Sequence, residues 1–202
     1  MRQVTGRTNQ LNVSKKVSIQ LALDGHSFSL PKGAVDGQVE EIELLTEYTL
    51  LVPRELYDGA AASLFAANGQ PLAADMEVVV CEAAKRPDVV ALVAVPSKLY
   101  NELRERYGEF RPTTPLLATP TVMEPTIALC DTGSLIYIKV YDNQLCLAEV
   151  VAVPDMETLS YLLQRLEGQF ELRRFVVQLE ARTADKQRMK LYRSYFKKVL
   201  CV

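Results

Sequence analysis

Asp131, Thr132, Gly133 and Ser134 interrupt two apolar runs in ALCDTGSLIYIKVYDNQ, residues 128–144, and they form the one cluster in the chain with the residue types of an active site. Three readings compete for it. A carboxylate that shares a proton with a second carboxylate can hydrolyse a peptide bond. A carboxylate that holds a metal-bound water, next to backbone amides freed by glycine, can cradle a phosphate. Asp-Thr-Gly-Ser can also be chemically silent, because these residues form tight turns before they bind anything. Asp24-Gly25 is the second such place, a hairpin dipeptide between the strand-like runs 18–23 and 27–30.

The peptide-bond reading needs two aspartates across a symmetric site, and the chain has a single Asp-Thr-Gly-Ser, so a protease of this kind would have to dimerise. The segment RFVVQLEA at 174–181 has no glycine with which to brace such a loop, and the helical patterns around it do not suit an all-β protease. Histidine-based nucleophilic catalysis finds no support, since His26 is the only histidine and no recognisable motif surrounds it. Cys81, Cys130, Cys146 and Cys201 include no CxxC pair, so no metal site is expected. Three of them lie in apolar runs, where a reduced, buried thiol is the simpler reading, and a cytoplasmic location follows.

The elements that must position these residues can be read from periodicity. Val-Pro recurs three times, in TLLVPRELYDG (49–59), ALVAVPSKLYNEL (91–103) and EVVAVPDMETLSYLL (149–163). In each, a β-branched run stops at proline, which lacks the donor that a strand needs, and an amphipathic helix begins. Ser97 and Asp155 are candidate N-caps, and Asn68-Gly69, Gly108 and Gly168 are candidate helix ends. In the second half, strands are expected at 126–131, 135–141 and 145–153, then a helix at 155–167. A strand at 174–180, a helix at 183–198 and a short strand at the end follow. Leu159, Leu162, Leu163, Leu166, Met189, Tyr192 and Phe196 are the expected core of this half. In the first half, the hairpin at 18–30 is followed by one or two strands over 41–52, a helix at 54–67, strands at 77–82 and 89–95, and a helix at 98–107. The stretch 110–125 carries four of the ten prolines and is the natural boundary.

At 202 residues, with 49% hydrophobic and 24% charged residues, the chain suits one large domain or two compact lobes. No apolar run is long enough to span a bilayer. Residues 1–16 carry basic side chains without an apolar core and read as a flexible leader, not a secretory signal. From Gln164 onward the chain carries a net +6, against −8 upstream. Lys186, Lys190, Arg193 and Lys197, spaced four, three and four apart, form one stripe on the last helix. That stripe would suit an acidic protein partner. The neighbouring Tyr192 and Phe196 belong to the core and offer no stacking platform, so nucleic acid is not the expected partner.

The phrases SIQLALDGHSFSL, YTLLVPRELYD, VVALVAVPSKLYNELRERYGEFRPTTPLL and LCLAEVVAVPDMETLSYLLQRL resemble an uncharacterised bacterial family with an actin-like ATPase fold. The likeness runs from about Ser18 to the C-terminus, and no biochemical function comes with it. It implies an α/β protein of two tandem ribonuclease-H-like lobes in minimal form. The lobes would be 17–109 and 126–202, joined by the Pro-rich connector 110–125 after the leader. It also implies that Asp24-Gly25 and Asp131-Thr132-Gly133-Ser134 are the two hairpins that would face a nucleotide phosphate.

Three departures count against an active site. The first hairpin is one residue short, the second has a single glycine, and no glycine follows Gly168, where such enzymes carry a Gly-Gly pair against adenosine. The expectation is therefore a binding or scaffold protein with a degenerate nucleotide site, no catalytic residue, no cofactor and an unknown protein partner. The alternative is an ATPase in which Asp24 and Asp131 flank Mg-ATP.

Overall fold

The structure, a computed structural model, describes residues 15–20, 39–83, 86–120, 124–183 and 185–202. Asp24, Gly25 and the expected hairpin turn around them lie outside these residues.

The second half is built as its periodicity requires. Strands β7 (Thr126–Asp131), β8 (Leu135–Asp142) and β9 (Gln144–Ala152) form an antiparallel meander. Helix α3 (Met156–Gln169) leads to β10 (Val176–Ala181), and helix α4 (Lys186–Tyr195) leads to β11 (Lys198–Cys201). Both of these strands add in parallel on the β7 side, so the sheet runs β11-β10-β7-β8-β9. Asp155 caps α3, its carboxylate accepting from Thr158 N at 2.8 Å. Leu159, Leu162, Leu163 and Leu166 are all buried on the sheet, each contributing roughly 1.5–3 kcal/mol of apolar burial. Tyr192 and Phe196 join them, while Met189 is only partly buried at the margin.

Two helix ends differ from expectation. Gly168 lies inside α3, which ends instead at an extended Phe170. Helix α4 covers 186–195 and not 183–198: Asp185 caps its start by accepting from Gln187 N and Arg188 N, and Phe196 is already extended.

The first half holds β1 (Lys15–Gln20), β2 (Val39–Leu45), β3 (Thr49–Pro53), α1 (Ala61–Ala67), β4 (Met76–Ala83), β5 (Arg86–Pro96), α2 (Ser97–Tyr107) and β6 (Arg111–Thr113). Its described strands form two sheets of three, β1-β2-β6 and β3-β5-β4, and do not repeat the single sheet of the second half. In the first sheet β2 is parallel to both neighbours; in the second, β5 is antiparallel to both. The helix expected at 54–67 is broken. A 3-10 turn at 54–56 gives way to a bend where Gly59 takes φ +93°, and α1 starts only at Ala61. Ser97 is the first residue of α2, with Pro96 before it and no side-chain cap. Gly108 ends α2 and Gly69 follows α1, both with positive φ, as their positions suggested.

The apolar run VVALVAV is the centre of β5, buried on both faces. Val90, Leu92 and Ala94 pack on α1 through Phe65; Ala91, Val93 and Val95 pack on α2 and on Ile42 and Leu44 of β2. Within the Pro-rich stretch, β6 pairs with β2, and Pro115–Leu117 form a 3-10 turn. Strand β8 then divides its side chains by period two. Ile136, Ile138 and Val140 face α3 and α4, whereas Leu135 and Tyr137 pack on Leu45 and Leu116 of the first half.

Candidate functional site

The β7–β8 connection is the Asp131-Thr132-Gly133-Ser134 turn. Thr132 closes it: its amide donates to the Leu135 carbonyl at 3.0 Å, and its hydroxyl accepts from Leu135 N at 3.1 Å. Gly133 takes φ +97°, a conformation for which glycine is suited, and its amide donates to Asp131 Oδ1 at 2.9 Å. The Ser134 carbonyl accepts from Val153 N at 2.7 Å. A phosphate cradle needs amides that converge outward with their N–H groups free. Here the Thr132, Gly133 and Leu135 amides are spent inside the turn.

Asp131 is at the end of β7, on the same face as Ile127 and Leu129, and only 2% exposed. Its Oδ2 accepts from Arg188 Nε at 2.9 Å and from the Tyr192 hydroxyl at 2.7 Å. Arg188 also donates Nη1 to the Gly133 carbonyl at 2.7 Å, so one side chain of α4 clamps both ends of the Asp-Thr-Gly segment. Arg188 Nη2 is buried and has no hydrogen-bond partner among the described residues. The Asp131 carbonyl is taken as well, by Arg182 N at 2.9 Å. Burial, and then the Asp131 carboxylate beside it, push the Tyr192 phenol up from its ordinary pKa, keeping it a neutral donor. With three donors on two buried oxygens, Asp131 ties the hairpin to α4. A carboxylate that held a metal-bound water or took a proton from substrate would need a lone pair facing an open site.

Of the residues singled out by sequence, the structure brings together Asp131, Thr132, Gly133 and Ser134, and places Asp24 and Gly25 outside the described residues. It places Lys186, Lys190 and Arg193 on the exposed side of α4, whereas Lys197, expected on the same helix, lies in the bend between α4 and β11 because the helix ends at Tyr195. Sequence reasoning missed Arg188, and saw Tyr192 only as core. A signal was available: Arg188 sits one turn before Tyr192, so a cation occupies the buried face of the helix, where it needs an acidic partner.

A second polar group lies where the two halves meet. Glu43 of β2, 2% exposed, receives a hydrogen bond from Arg182 Nη1, and Tyr137 donates its hydroxyl to the Thr46 carbonyl at 3.2 Å. Among the described residues no three His, Cys, Asp or Glu side chains come close enough to hold a metal ion, and no helix is long and apolar enough to cross a membrane.

No protein-family model and no curated protein matches the chain. Among solved structures, it is similar to a protein of unknown function from Bacteroides thetaiotaomicron with an actin-like ATPase fold. That match has a TM-score of 0.69 at 16% identity, over 93% of this chain and 90% of the other. The cytoplasmic domain of EpsL, an inner-membrane component of the type II secretion system of Vibrio cholerae, aligns at a TM-score of 0.42. Its identity is 15%, over 84% of this chain and 83% of the other. The PilM–PilN type IV pilus biogenesis complex aligns at 0.43 and 11% identity, over 82% of this chain and 70% of the other. The fold of this protein is thus α/β and of the actin-like ATPase kind, as the sequence resemblance implied.

Proposed function

We propose that this protein is a non-catalytic binding or scaffold protein, built on an actin-like ATPase fold whose nucleotide site is degenerate. The observation that carries the proposal is the state of Asp131. Its carboxylate is buried and fully engaged by Gly133, Arg188 and Tyr192, in the hairpin that would otherwise face a phosphate. A loop whose Thr132, Gly133 and Leu135 amides are already bonded within the turn, and whose carboxylate already accepts three donors, is poorly suited to take an anion or a metal. The absence of glycine after Gly168 supports the same reading, since a close adenosine platform would need one.

In this reading the chain is two lobes joined through 110–125, and it works without Mg-ATP. Its docking surface is the outer side of α4. Lys186, Lys190 and Arg193 are exposed there, with Lys197 exposed just beyond its end, and none of them makes an ion pair among the described residues, which fits an acidic protein surface. Four free thiols, Cys81, Cys130, Cys146 and Cys201, fit a reducing compartment and hence the cytoplasm. The test is a thermal-shift titration of the intact protein with Mg-ATP and, separately, Mg-pyrophosphate. Equal, negligible shifts are expected; a shift of several degrees with Mg-ATP alone would replace this reading with that of an ATPase using Asp24 and Asp131.

A further inference from the structure

Lys139 is a buried amine in the seam between the halves. It follows Leu135 and Tyr137 on the face of β8 turned away from α3 and α4, and it is 3% exposed. Its Nζ donates to the Pro115 carbonyl at 2.9 Å and to the Ala118 carbonyl, the two ends of the 3-10 turn in the Pro-rich connector. Among the described residues no carboxylate forms an ion pair with it. The charged and titratable groups that face it are Arg86 of β5, Cys130 of β7 and Glu180 of β10. Arg86 is itself held by Asp88 and by the Tyr141 hydroxyl at 3.3 Å.

A buried lysine normally finds a carboxylate or stays out of the interior. Here the structure supplies two carbonyl acceptors. A neutral amine has two N–H bonds and can satisfy both acceptors; an ammonium brings a third proton and a full charge into the same apolar seam. We propose that Lys139 is a proton-regulated latch: it holds the 115–118 segment, and with it the first half of the chain, on the five-stranded sheet, and it closes more firmly when the amine is neutral. The inference is independent of whether a nucleotide binds.

Burial, and then the Arg86 charge, bring the Lys139 amine down from the usual 10.5 to about 8. The unfolded chain keeps an amine of ordinary pKa, so between pH 8 and about 10.4 it binds the extra proton and the folded chain does not. The folding equilibrium therefore rises with pH in that window, by up to about 10-fold per pH unit from this residue. Below pH 8 both states are charged, the dependence vanishes, and the latch carries the whole penalty of the buried charge.

The experiment has two arms on the full chain. In the wild type, an NMR titration of isotopically labelled lysine reads the Lys139 midpoint. In parallel, hydrogen exchange, corrected for intrinsic rates, follows the Leu117 and Ala118 amides, which close the 3-10 turn onto Thr114 and Pro115 at 3.0 and 3.1 Å. A midpoint near pH 8, with protection at 117 and 118 rising several-fold across it, is expected; a midpoint near 10, or protection that stays flat through the midpoint, overturns the latch. The second arm compares urea unfolding of the wild type and Lys139→Met from pH 7 to 10. The wild type should gain stability relative to the variant as pH rises above 8, and parallel curves would overturn the proposal. If the variant does not fold, the wild-type titration and exchange decide alone.

Discussion

Arg188 and Asp131, 57 positions apart in sequence, meet in the interior with Nε 2.9 Å from Oδ2 and side chains only 8% and 2% exposed. Deleting one member strands the other as a buried, unpaired charge, a change that costs about 3–5 kcal/mol. Asp131→Ala and Arg188→Ala should each lose about that much in urea denaturation, and Tyr192→Phe about 1.5–3 kcal/mol, the worth of a hydrogen bond to a charged group. The double replacement Asp131→Leu with Arg188→Met should cost clearly less than the two single losses added together. Additive losses would mean that the pair is not a coupled tie.

Gly133 tests the turn itself. Its φ of +97° strains any residue with a Cβ, and an added Cβ would come 2.9 Å from Thr183 Cγ2. Gly133→Ala should destabilise by about 1–2 kcal/mol, most of it backbone strain. Pairing it with Thr183→Ala should recover only the steric part. Full recovery would show that contact, not φ, decides the position.

For nucleotide, the expected result is no specific stabilisation. A ligand at a hundred times its Kd adds about 2.7 kcal/mol to stability. In a chain of this size that raises Tm by roughly 5–10 °C, at about 2–4 °C per kcal/mol. Millimolar Mg-ATP would therefore reveal a site of about 10 μM affinity. The predicted trace superimposes on that of Mg-pyrophosphate.

The thiols should divide two and two. Burial pushes the Cys81 thiol up to about 12; burial also carries Cys130 to about 12, the Arg182 charge pulling the other way. Cys146 and Cys201 are exposed. A thiol reagent at pH 8 should modify two cysteines quickly and the other two only on unfolding. The pH effect follows in sign. The folded state holds these two thiols neutral while the unfolded chain ionises them from about pH 8.5, so their stabilising contribution is intact below that pH and declines above it, toward 12. Replacing both by alanine should flatten that alkaline decline, whatever it does to stability at pH 7.

Charge reversal at Lys186, Lys190, Arg193 and Lys197 should leave the melting midpoint within a few degrees of the wild type, as exposed substitutions do. Nucleic-acid binding by the unmodified helix should be weak, indifferent to sequence and gone near physiological salt, which filter binding against a salt series would show. A salt-resistant, sequence-selective complex would count against a protein partner for this surface.

The sequence by itself determined the second half element by element, because its signals are local. Period-two runs made β7, β8 and β9; Asp155 announced the start of α3, and four leucines at helical spacing chose its buried face. Local signals also failed locally: Gly168 suggests a helix end yet lies inside α3, and the run 54–67 looks helical yet bends at Gly59. What only the tertiary structure decided was how distant segments pair. The parallel register of β1 on β2 and the entry of β6 beside it bring together residues that no local pattern links. The surroundings of Asp131 were decided in the same way. Asp-Thr-Gly-Ser is compatible with catalysis, phosphate binding or a turn, because its chemistry depends on what faces it. Here Arg188 and Tyr192 face it, one helical turn apart on α4, delivered by the fold across more than fifty positions of chain. A carboxylate's function is set by its solvation and its donors, and both are properties of the packed interior.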